Sequence, residues 1–501
     1  MPLRFTNTLT GQKEDFKPLK EGQVSLYVCG VTVYDHCHIG HARGAVVFDV
    51  LRRYLESDRY KFKVTHVRNI TDVDDKIIDR ARLESSGDLK NAALAVARRY
   101  EESFQKDFSE LGLLPPTNEP RATEYIPKMV RFIENLMKAG YAYPGSDGVY
   151  FSVKKFEEKF GYGHLSHQKL EQMLEGVRIA PGEGKKEPLD FALWKKAKPE
   201  EPSWPSPWGE GRPGWHIECS TMSTDLLGDA FDIHGGGQDL IFPHHENERI
   251  QALGAGKKFA RYWLHNGLLT VNGQKMSKSV GNIVTIGDAL KRHPNPDVLR
   301  LFFLSAHYRS PVDFTWERLD EAASAYNRFQ SFLTKALLFL EKSESKEEQE
   351  TEAMESAEEK FYAAMDDDLN TPEALSALYE LVNQGIPLFG SPYSQPGLIL
   401  GPEEGFPDET VSDETAIKEV SSYMPRLRYV VKTISELGNI LGCSFPANND
   451  TDPHAQKLAQ KRDEARAKRE YKTADDIRRQ LVDMGYLVED TDRGTVVRKR
   501  V

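Results

Sequence analysis

Hydrophobic and polar positions in the first part of the chain follow a strand, helix, strand pattern. A short apolar run from Val24 to Cys29 is typical of a buried strand. After a polar loop, apolar residues recur at helical spacing from Ile39 to Leu55, and a second extended run covers Lys61 to Val67. This order predicts a βαβ unit and a mostly parallel sheet, whose ligands lie at the carboxyl ends of the strands.

The pattern changes after this unit. Residues 121–222 are predicted to be an insertion, with a helix near Tyr125–Ala139. A stretch rich in proline and tryptophan at 202–208 excludes regular elements there. The sheet pattern resumes at Phe231–His234, and a second helix is expected after Pro243.

Beyond about Phe314 the chain turns strongly helical, which predicts a helical bundle. We expect two interruptions, an acidic low-complexity run from Glu341 to Glu359 and a proline and glycine loop from Ser391 to Pro407. The last residues, 455–501, indicate one or two basic helices and then short strands near Leu487 and Val496.

Size and composition indicate a folded protein of several domains. The chain has 501 residues, 39% of them hydrophobic and 29% charged, and at roughly 150 residues per domain it should contain about three or four. No stretch approaches about 18 uninterrupted apolar residues, and no apolar run follows a basic start. We therefore expect neither secretion through a signal peptide nor a membrane span.

The four cysteines point to thiol or metal chemistry rather than a disulfide framework. Cys29, Cys37, Cys219 and Cys443 are too few and too widely spaced in so long a chain. A reducing compartment, the cytosol, is the expected location.

The formal net charge of −11 excludes a protein that coats nucleic acid in general. Nucleic acid would need a local basic patch, and the tail offers one at helical spacing. The patch consists of Lys457, Lys461, Arg462, Arg466, Lys468, Arg469, Lys472, Arg478 and Arg479. Charge pattern alone leaves two interpretations, an RNA-binding surface and a solvated helix face.

A candidate phosphate site lies where the predicted helix begins, at the tetrapeptide His38-Ile39-Gly40-His41. The amide groups at a helix N-terminus favour phosphate, Gly40 permits close backbone approach, and imidazoles donate to phosphate oxygens. Two neighbouring histidines are also common on ordinary surfaces, so this tetrapeptide alone does not decide between the two interpretations.

A second candidate is the pentapeptide Lys275-Met276-Ser277-Lys278-Ser279, which lies between Gly273 and Gly281. Two ammonium groups on a loop with glycine hinges can close over a triphosphate and neutralise the charge on departing pyrophosphate. The alternative is a solvated turn, but both elements together, in this order around an α/β core, favour nucleotide chemistry.

Residue types and spacing also propose a metal site. His244 and Glu248 share one face of a helix, and Cys29 and Cys219 would add two thiolates, a donor set that suits Zn²⁺. His245 is ambiguous, because a shift in helix phase would substitute it for His244, although only residue 244 lies one full turn before Glu248. A lone cysteine is often just a small buried hydrophobe, so spacing alone leaves the metal open.

The sequence resembles the class I aminoacyl-tRNA synthetases, whose signature motifs are the tetrapeptide at 38–41 and the pentapeptide at 275–279. The resemblance extends over nearly the whole chain to the cysteinyl-tRNA synthetases. It is carried further by Tyr27–Gly30, Asn69–Lys76, Gly211–Ser220, His234–Asp239 and Ala364–Pro372.

This resemblance implies ATP-dependent ligation of L-cysteine to tRNA(Cys) through a cysteinyl-adenylate. It implies one zinc ion per chain on Cys29, Cys219, His244 and Glu248, which selects the substrate thiol. The resemblance implies three further sets of residues. Catalysis is implied for His38, His41, Lys275 and Lys278. ATP binding is implied for His38, Gly40, His41, His234, Gly236 and Lys278, and cysteine binding for Thr71, Trp215 and Asp239.

The expected fold class is α/β, with a Rossmann-type parallel-sheet catalytic domain that carries an insertion, then a helical bundle and a small C-terminal domain. The implied boundaries are 1–120 and 223–270 for the catalytic halves, 121–222 for the insertion, 271–318 for a stem-contact region with the lysine loop, 319–440 for a bundle that binds the tRNA anticodon arm, and 441–501 for a basic anticodon-binding domain.

The expected partners are tRNA(Cys), L-cysteine and ATP with Mg²⁺, without a membrane, and the expected state is a monomer. Two other functions stay open. A ligase that joins cysteine to an amino-sugar would share the catalytic half and the zinc but lack the tail. A non-catalytic RNA-binding paralogue should have lost one phosphate motif, and both are intact here.

Overall fold

The computed structural model forms two compact units, which are described separately below. It describes residues 2–85, 87–169, 173, 184–278, 280–340, 346–389, 414–445, 453–484, 486–491 and 494–499. The first unit comprises Met1–Arg292, Ala306–Thr315 and Met365–Asn370, and the second comprises His293–Ser305, Trp316–Ala364 and Thr371–Val501. No helix within the described ranges is long and apolar enough to cross a bilayer.

The strands are numbered in chain order. They are β1 (Arg4–Asn7), β2 (Gln12–Asp15), β3 (Gln23–Val28), β4 (Lys63–Arg68), β5 (Ala142–Pro144), β6 (Gly148–Phe151), β7 (Phe191–Lys196), β8 (Gly211–Pro213), β9 (Ala230–Gly237), β10 (Phe259–Asn266), β11 (Leu269–Val271), β12 (Gln274–Lys275), β13 (Val312–Phe314), β14 (Tyr486–Thr491) and β15 (Gly494–Lys499).

The α-helices follow the same convention. They are α1 (Ile39–Glu56), α2 (Asp75–Glu84), α3 (Leu89–Glu110), α4 (Ile126–Lys138), α5 (Val153–Phe160), α6 (Trp215–Leu226), α7 (Glu246–Gly254), α8 (Ile286–Arg292), α9 (Pro296–Leu304), α10 (Trp316–Leu340), α11 (Glu352–Asp366), α12 (Thr371–Gly385), α13 (Glu414–Ile440), α14 (Pro453–Ala467) and α15 (Tyr471–Asp483).

A four-stranded parallel sheet lies at the centre of the first unit, with the strand order β10-β9-β3-β4. The predicted βαβ unit is confirmed as β3, α1 and β4. Leu26, Tyr27 and Ile233 are fully buried because helices and loops cover both faces of the sheet. The chain leaves the carboxyl ends of β3 and β4 at Cys29 and Asn69, so both residues lie at the same edge.

The insertion forms an antiparallel sheet with the order β5-β6-β7-β8. The predicted helix near Tyr125–Ala139 is confirmed as α4, and no helix or strand covers residues 202–208. Met129 of α4, Trp194 of β7 and Ile217 of α6 join one hydrophobic core with Trp263 of β10. This core holds α6 firmly against the parallel sheet.

The second unit is helical, as predicted, and ends in a small αα-hairpin and β-hairpin. Helices α14 and α15 pack on the antiparallel pair β14 and β15, which confirms the two predicted strands. This part has its own hydrophobic core, which includes Leu458, Leu481, Tyr486 and Val497.

One predicted interruption of the helical region is wrong over part of its length. The acidic run from Glu341 to Glu359 was expected to be irregular, but α11 begins at Glu352. Met354, Ala357 and Phe361 are buried at helical spacing, so a narrow apolar face decides the conformation despite the surrounding charge. The other predicted interruption, Ser391–Pro407, lies outside the described residues.

Three consecutive aspartates, the last residue of α11 and the two that follow it, belong to the first unit. The Asp366 carboxylate accepts a hydrogen bond from the Tyr54 hydroxyl at 2.6 Å, and Asp368 accepts from the Thr6 hydroxyl at 2.6 Å. Asp367 forms an ion pair with Arg4 at 2.5 Å. These side chains therefore hold the segment in place.

Candidate active site

The tetrapeptide at 38–41 begins α1 as predicted. His38 is the N-cap, and its Nδ1 accepts a hydrogen bond from the Gly40 amide at 3.1 Å. The His41 Nδ1 accepts from the His38 amide at 3.3 Å, and the two rings stack with centroids 3.7 Å apart. A Cβ on Gly40 would lie 2.9 Å from the His38 ring, so this close packing requires glycine.

Both imidazoles are arranged to donate from Nε2. Burial lowers the pKa of His38, and burial together with the charges of His38 and Lys76 lowers the pKa of His41 to about 3. Each ring is therefore neutral at neutral pH, with one proton. Because each Nδ1 accepts from a backbone amide, the hydrogen-bond pattern assigns that proton to Nε2.

The lysine loop is anchored beside the start of α1. The Asn282 side-chain carbonyl accepts from the Ser277 amide at 2.9 Å. Past the loop, the Ile39 amide donates to the Val284 carbonyl at 3.0 Å. The two phosphate motifs, more than two hundred residues apart in sequence, are therefore adjacent in the first unit.

A cavity of about 400 Å³ lies between these two motifs, and its lining includes His38, His41 and Lys278. The Lys278 ammonium forms an ion pair with Asp35 and lies 4.7 Å from the centroid of the Tyr34 ring. The cavity is therefore lined by hydrogen-bond donors from the two histidines on one side and by the ammonium group of Lys278 on another.

The four predicted metal ligands converge at the edge of the parallel sheet. Cys29 Sγ lies 3.8 Å from Cys219 Sγ and 3.4 Å from Glu248 Oε1. His244 Nε2 lies 3.7 Å from Cys219 Sγ and 2.9 Å from Glu248 Oε1. A tetrahedral zinc site with bonds of about 2.0–2.3 Å has ligand atoms roughly 3.3–3.8 Å apart. Three of the four distances lie in this range, and the fourth, from His244 Nε2 to Glu248 Oε1, is shorter at 2.9 Å. The donor set fits zinc.

The charges in this cluster also fit a cation. Glu248 is fully buried, and Cys219 and His244 are nearly so. Burial raises the pKa of Cys219, but the hydrogen bond from Cys29 and the nearby His244 bring it to about 7. Burial lowers the pKa of His244, but the Glu248 carboxylate raises it to about 10. The pKa of the Cys29 thiol is instead raised, chiefly by burial. The buried Glu248 carboxylate has the protonated His244 imidazole as its cationic partner, a place that a metal cation can take.

A second donor set overlaps the first. Cys29, His234, His245 and Glu248 also have ligand atoms close to one another, with His245 Nε2 3.2 Å from Cys29 Sγ. The two sets share Cys29 and Glu248, so one ion can use only one of them. The predicted set has two sulfur donors, which suit zinc better, and His244 Nε2 lies nearer Glu248 Oε1 than His245 Nε2 does, 2.9 against 4.0 Å.

The phase of this segment differs slightly from the prediction. The helix expected directly after Pro243 begins at Glu246, because Ile241–His245 form a wider turn before it. His244 and His245 lie four and three residues before Glu248, so both are near it, with Nε2 atoms 2.9 and 4.0 Å from Oε1.

Neighbouring side chains orient His244. Its Nδ1 lies 2.9 Å from His216 Nδ1, and the Trp215 ring stacks on it with centroids 4.1 Å apart. Such partners fix the ring of a metal-binding histidine. Trp215 is itself 40% exposed, so one of its faces is available to a ligand.

The other predicted substrate residues lie in different surroundings. Thr71 is buried, and its hydroxyl donates to the Glu218 carboxylate at 2.8 Å. Asp239 is exposed in a short helical turn after β9. The contacts of both residues with cysteine stay predictions.

The remaining predicted ATP residues lie at the end of β9 and on β12. His234 is fully buried, with Nε2 3.2 Å from Glu248 Oε2, so its ring faces the metal cluster. Gly236 pairs with His265 in the sheet. Lys275 is exposed on β12. ATP contact by these three residues also stays a prediction.

Three polar residues of the site were not predicted from the sequence, although each lies near a motif. His216 and Glu218 both precede Cys219 on α6 and contact His244 and Thr71, respectively. Asp35 precedes the tetrapeptide and pairs with Lys278. The available signal for Asp35 was an acidic residue three positions before the tetrapeptide, but nothing local identified its partner.

Six of the nine basic residues of the tail patch are exposed, and three are not. Arg462 is buried, and its guanidinium donates to the Thr495 hydroxyl at 2.7 Å. Arg466 and Arg478 are half-buried. The exposed members are Lys457, Lys461, Lys468, Arg469, Lys472 and Arg479. Arg462 therefore has a structural contact, and the patch is smaller than its sequence implied.

Comparison with known families matches three regions of the chain. The family model described as "tRNA synthetases class I (C) catalytic domain" matches residues 15–324. The DALR domain matches residues 360–384. The model described as "Cysteinyl-tRNA ligase anticodon binding domain" matches residues 448–498.

Curated relatives match over nearly the whole length. The Cysteine–tRNA ligase of Thermococcus kodakarensis is 47% identical over 505 residues, 99% of each chain. That of Thermococcus onnurineus is 45% identical, also over 99% of each chain, and that of Sulfurihydrogenibium sp. is 44% identical over 100% of each.

Solved structures show the same fold at low identity. Mycobacterium tuberculosis methionyl-tRNA synthetase in complex with methionyl-adenylate aligns with a TM-score of 0.59 and 17% identity, over 85% of this chain and 92% of that one. The Agrobacterium radiobacter LeuRS in its ternary complex with tRNA and LeuAMS gives 0.58 and 12%, over 87% of each. With the family models and full-length relatives, this confirms the predicted fold class: the chain belongs to the cysteine–tRNA ligase family of class I aminoacyl-tRNA synthetases.

Proposed function

We propose that this chain joins L-cysteine to tRNA(Cys) through a cysteinyl-adenylate formed from ATP. The observation that carries the proposal is the position of the loop from Cys29 to His38. It begins at the Cys/His/Glu cluster and ends at the cavity between the two phosphate motifs. A substrate bound along this loop could present a thiol to the cluster and a carboxylate to ATP.

In the first step the cysteine carboxylate oxygen attacks the ATP α-phosphate, and pyrophosphate leaves. The protein needs no nucleophile of its own. Its contribution is alignment and charge stabilisation. The Nε2–H groups of His38 and His41 would donate to phosphate oxygens, while Lys275, Lys278 and the Mg²⁺ that accompanies ATP would offset the charge on pyrophosphate.

Gly40, His234 and Gly236 complete the proposed ATP site. The absence of a side chain at Gly40 allows the start of α1 to approach phosphate closely, and the amide groups there favour an anion. His234 and Gly236 lie at the end of β9, the edge at which parallel sheets bind their ligands.

Cys29, Cys219, His244 and Glu248 would hold one zinc ion per chain. Such an ion favours sulfur over oxygen and would therefore distinguish cysteine from serine. An ion is needed for this discrimination because a pocket without one separates near-isosteric substrates by only about a hundredfold. Thr71 and Trp215 would line the amino-acid pocket, and Asp239 would pair with the α-ammonium group.

In the second step the terminal adenosine of tRNA takes the cysteinyl group from the adenylate, and AMP leaves. The helical region 319–440 and the tail 441–501 would bind the anticodon arm. The six exposed cations of the tail supply phosphate contacts, and unpaired bases supply identity. All four cysteines are free, which fits the proposed cytosolic location, and we propose that the enzyme acts as a monomer.

The decisive experiment is cysteine-dependent ATP–pyrophosphate exchange on the full chain, followed by charging of tRNA(Cys). Exchange should require cysteine and stay near background with serine. An exchange-competent enzyme that charges an amino-sugar but no tRNA would favour the sugar ligase. RNA binding without exchange would favour the non-catalytic paralogue.

A further inference from the structure

Lys278 is held by one residue that has no assigned role. Its ammonium forms an ion pair with the Asp35 carboxylate and lies over the Tyr34 ring, 4.7 Å from the centroid. Both partners are on the loop that leads into α1, and both line the cavity between the phosphate motifs. The cation is therefore fixed at the cavity by an anion of the protein itself.

The Asp35 carboxylate is set up for this contact. Its Oδ1 accepts from the His36 amide at 3.0 Å, and its Oδ2 lies 3.9 Å from Arg80. Burial raises the pKa of Asp35, but the hydrogen bond and charge of Lys278 bring it below its ordinary value. Asp35 is therefore charged at neutral pH.

The contact is neither deep nor rigid. The Asp35 side chain is 28% exposed and that of Lys278 is 52% exposed. Pairs of this kind contribute little net stability, because water screens them and the long side chain loses freedom. Gly281 follows shortly after with φ of +71°. The ammonium can therefore be transferred to another anion without a large change in the fold.

We propose that Asp35 is a positioning residue that holds Lys278 at the cavity while no nucleotide is bound, and that the triphosphate of ATP displaces it. This rests on the proposed function, which assigns the phosphates to this cavity. Asp35 and the phosphates are anions that compete for one ammonium group. Asp35 thus keeps the loop close to α1 and at the same time opposes ATP binding.

The extent to which Asp35 weakens ATP binding follows from its competition with the phosphates for Lys278. If Asp35 holds Lys278 for most of the time, the apparent Kd of ATP rises by the inverse of the fraction that is free. For a half-exposed pair we expect a factor of about three to ten. Asp35→Asn should therefore lower the Kd and KM of ATP by about this factor, while the rate at saturating ATP changes by less than about twofold.

The test measures ATP binding to the full chain by equilibrium dialysis, and exchange kinetics in parallel. A double-mutant cycle with Lys278→Ala gives the specific signature: Asp35→Asn should have no effect on ATP affinity once Lys278 is absent. Asp35→Glu should retain the wild-type affinity, and Asp35→Ala, a second neutral variant, should match Asp35→Asn. Asp58→Asn is the control, because Asp58 pairs with Lys61 at 3.3 Å on the exposed surface.

Several outcomes would overturn the proposal. One is an ATP affinity that is unchanged or weaker in Asp35→Asn. Another is a gain in ATP affinity from Asp35→Asn that is equally large in the Lys278→Ala background. Failure of the proposed function would look different: wild-type enzyme would bind ATP but show no cysteine-dependent exchange, whereas the affinity cycle would still report on Asp35 and Lys278.

Discussion

The Cys/His/Glu cluster and the lysine loop differ in burial and in the contacts that hold their side chains. The cluster is buried apart from the half-buried Cys29. Its side chains come from a strand end, two helices and a turn, and His216 contacts His244. In the described part of the lysine loop, the exposed Lys278 pairs with Asp35, and the Ser277 amide donates to the Asn282 side chain. Selection between sulfur and oxygen requires fixed geometry, while ATP entry and pyrophosphate release require movement.

Charge follows the same division. The cluster pairs the buried Glu248 carboxylate with His244, whereas the cavity beside Lys278 offers donors and cations to an anion. The loop from Cys29 to His38 joins them within one short segment. The comparison predicts that variants of the cluster should affect which amino acid is used, and variants of the loop should affect how fast it reacts.

The largest effect is expected from Cys219→Ala. It removes one of two sulfur donors, so metal analysis should fall well below one zinc per chain, and cysteine-dependent exchange should fall by on the order of 10³. Preference for cysteine over serine should approach the roughly hundredfold value of an unaided pocket.

Cys443→Ala is the matched control, because this thiol is also buried but lies in the second unit. It should keep both zinc and exchange. Full zinc in Cys219→Ala would remove Cys219 from the ligand set and favour the overlapping set with His234 and His245.

Lys278→Ala should slow adenylate formation by about 10² to 10³ in single-turnover experiments, because its charge is needed chiefly where pyrophosphate leaves. Cysteine binding should change by less than about twofold. Lys291→Ala, which removes another exposed lysine of the first unit, should affect neither. A large rise in the Kd of cysteine with an unchanged rate would break the division of labour between cluster and loop.

Truncation after Asp450 should spare exchange, because the cluster and the loop both lie in the first unit. Charging at subsaturating tRNA should fall by about tenfold to a hundredfold, with weaker tRNA binding and a smaller salt dependence, since fewer counterions are released.

The full-length variant Lys468→Ala/Arg469→Ala tests the same patch without removing a domain, and it should weaken tRNA binding in the same direction. If the truncated enzyme keeps exchange and also charges tRNA at the full rate, the tail is only a solvated helix face.

The smallest effect is expected from Gly281→Ala. Its φ of +71° disfavours a side chain at a cost of about 1 kcal/mol, so the loop should close less readily and adenylate formation should slow by about threefold to tenfold. Gly22→Ala is the matched control, with the same φ of +71° and no atom near its Cβ. Equal rates for both variants would show that the backbone at Gly281 has no part in loop movement.

Local patterns were sufficient for much of the fold. The βαβ unit, helix α4 and the terminal strands follow from short-range periodicity, because burial of one face imposes a period of 3.6 or 2 on the sequence. The failure at Glu352–Glu359 has the same origin, since three apolar residues among many charges give a weak periodic signal.

For the site, the sequence predicts residue types within short motifs but not which motifs come together in space. Cys29 and Cys219 are 190 residues apart, and spacing along the chain carries no information about such a distance. Packing of distant elements brings these two cysteines together, places them beside Glu248, and sets Asp35 against Lys278. Local periodicity reports which side of an element is buried, but convergence of side chains depends on the packing of elements distant in sequence.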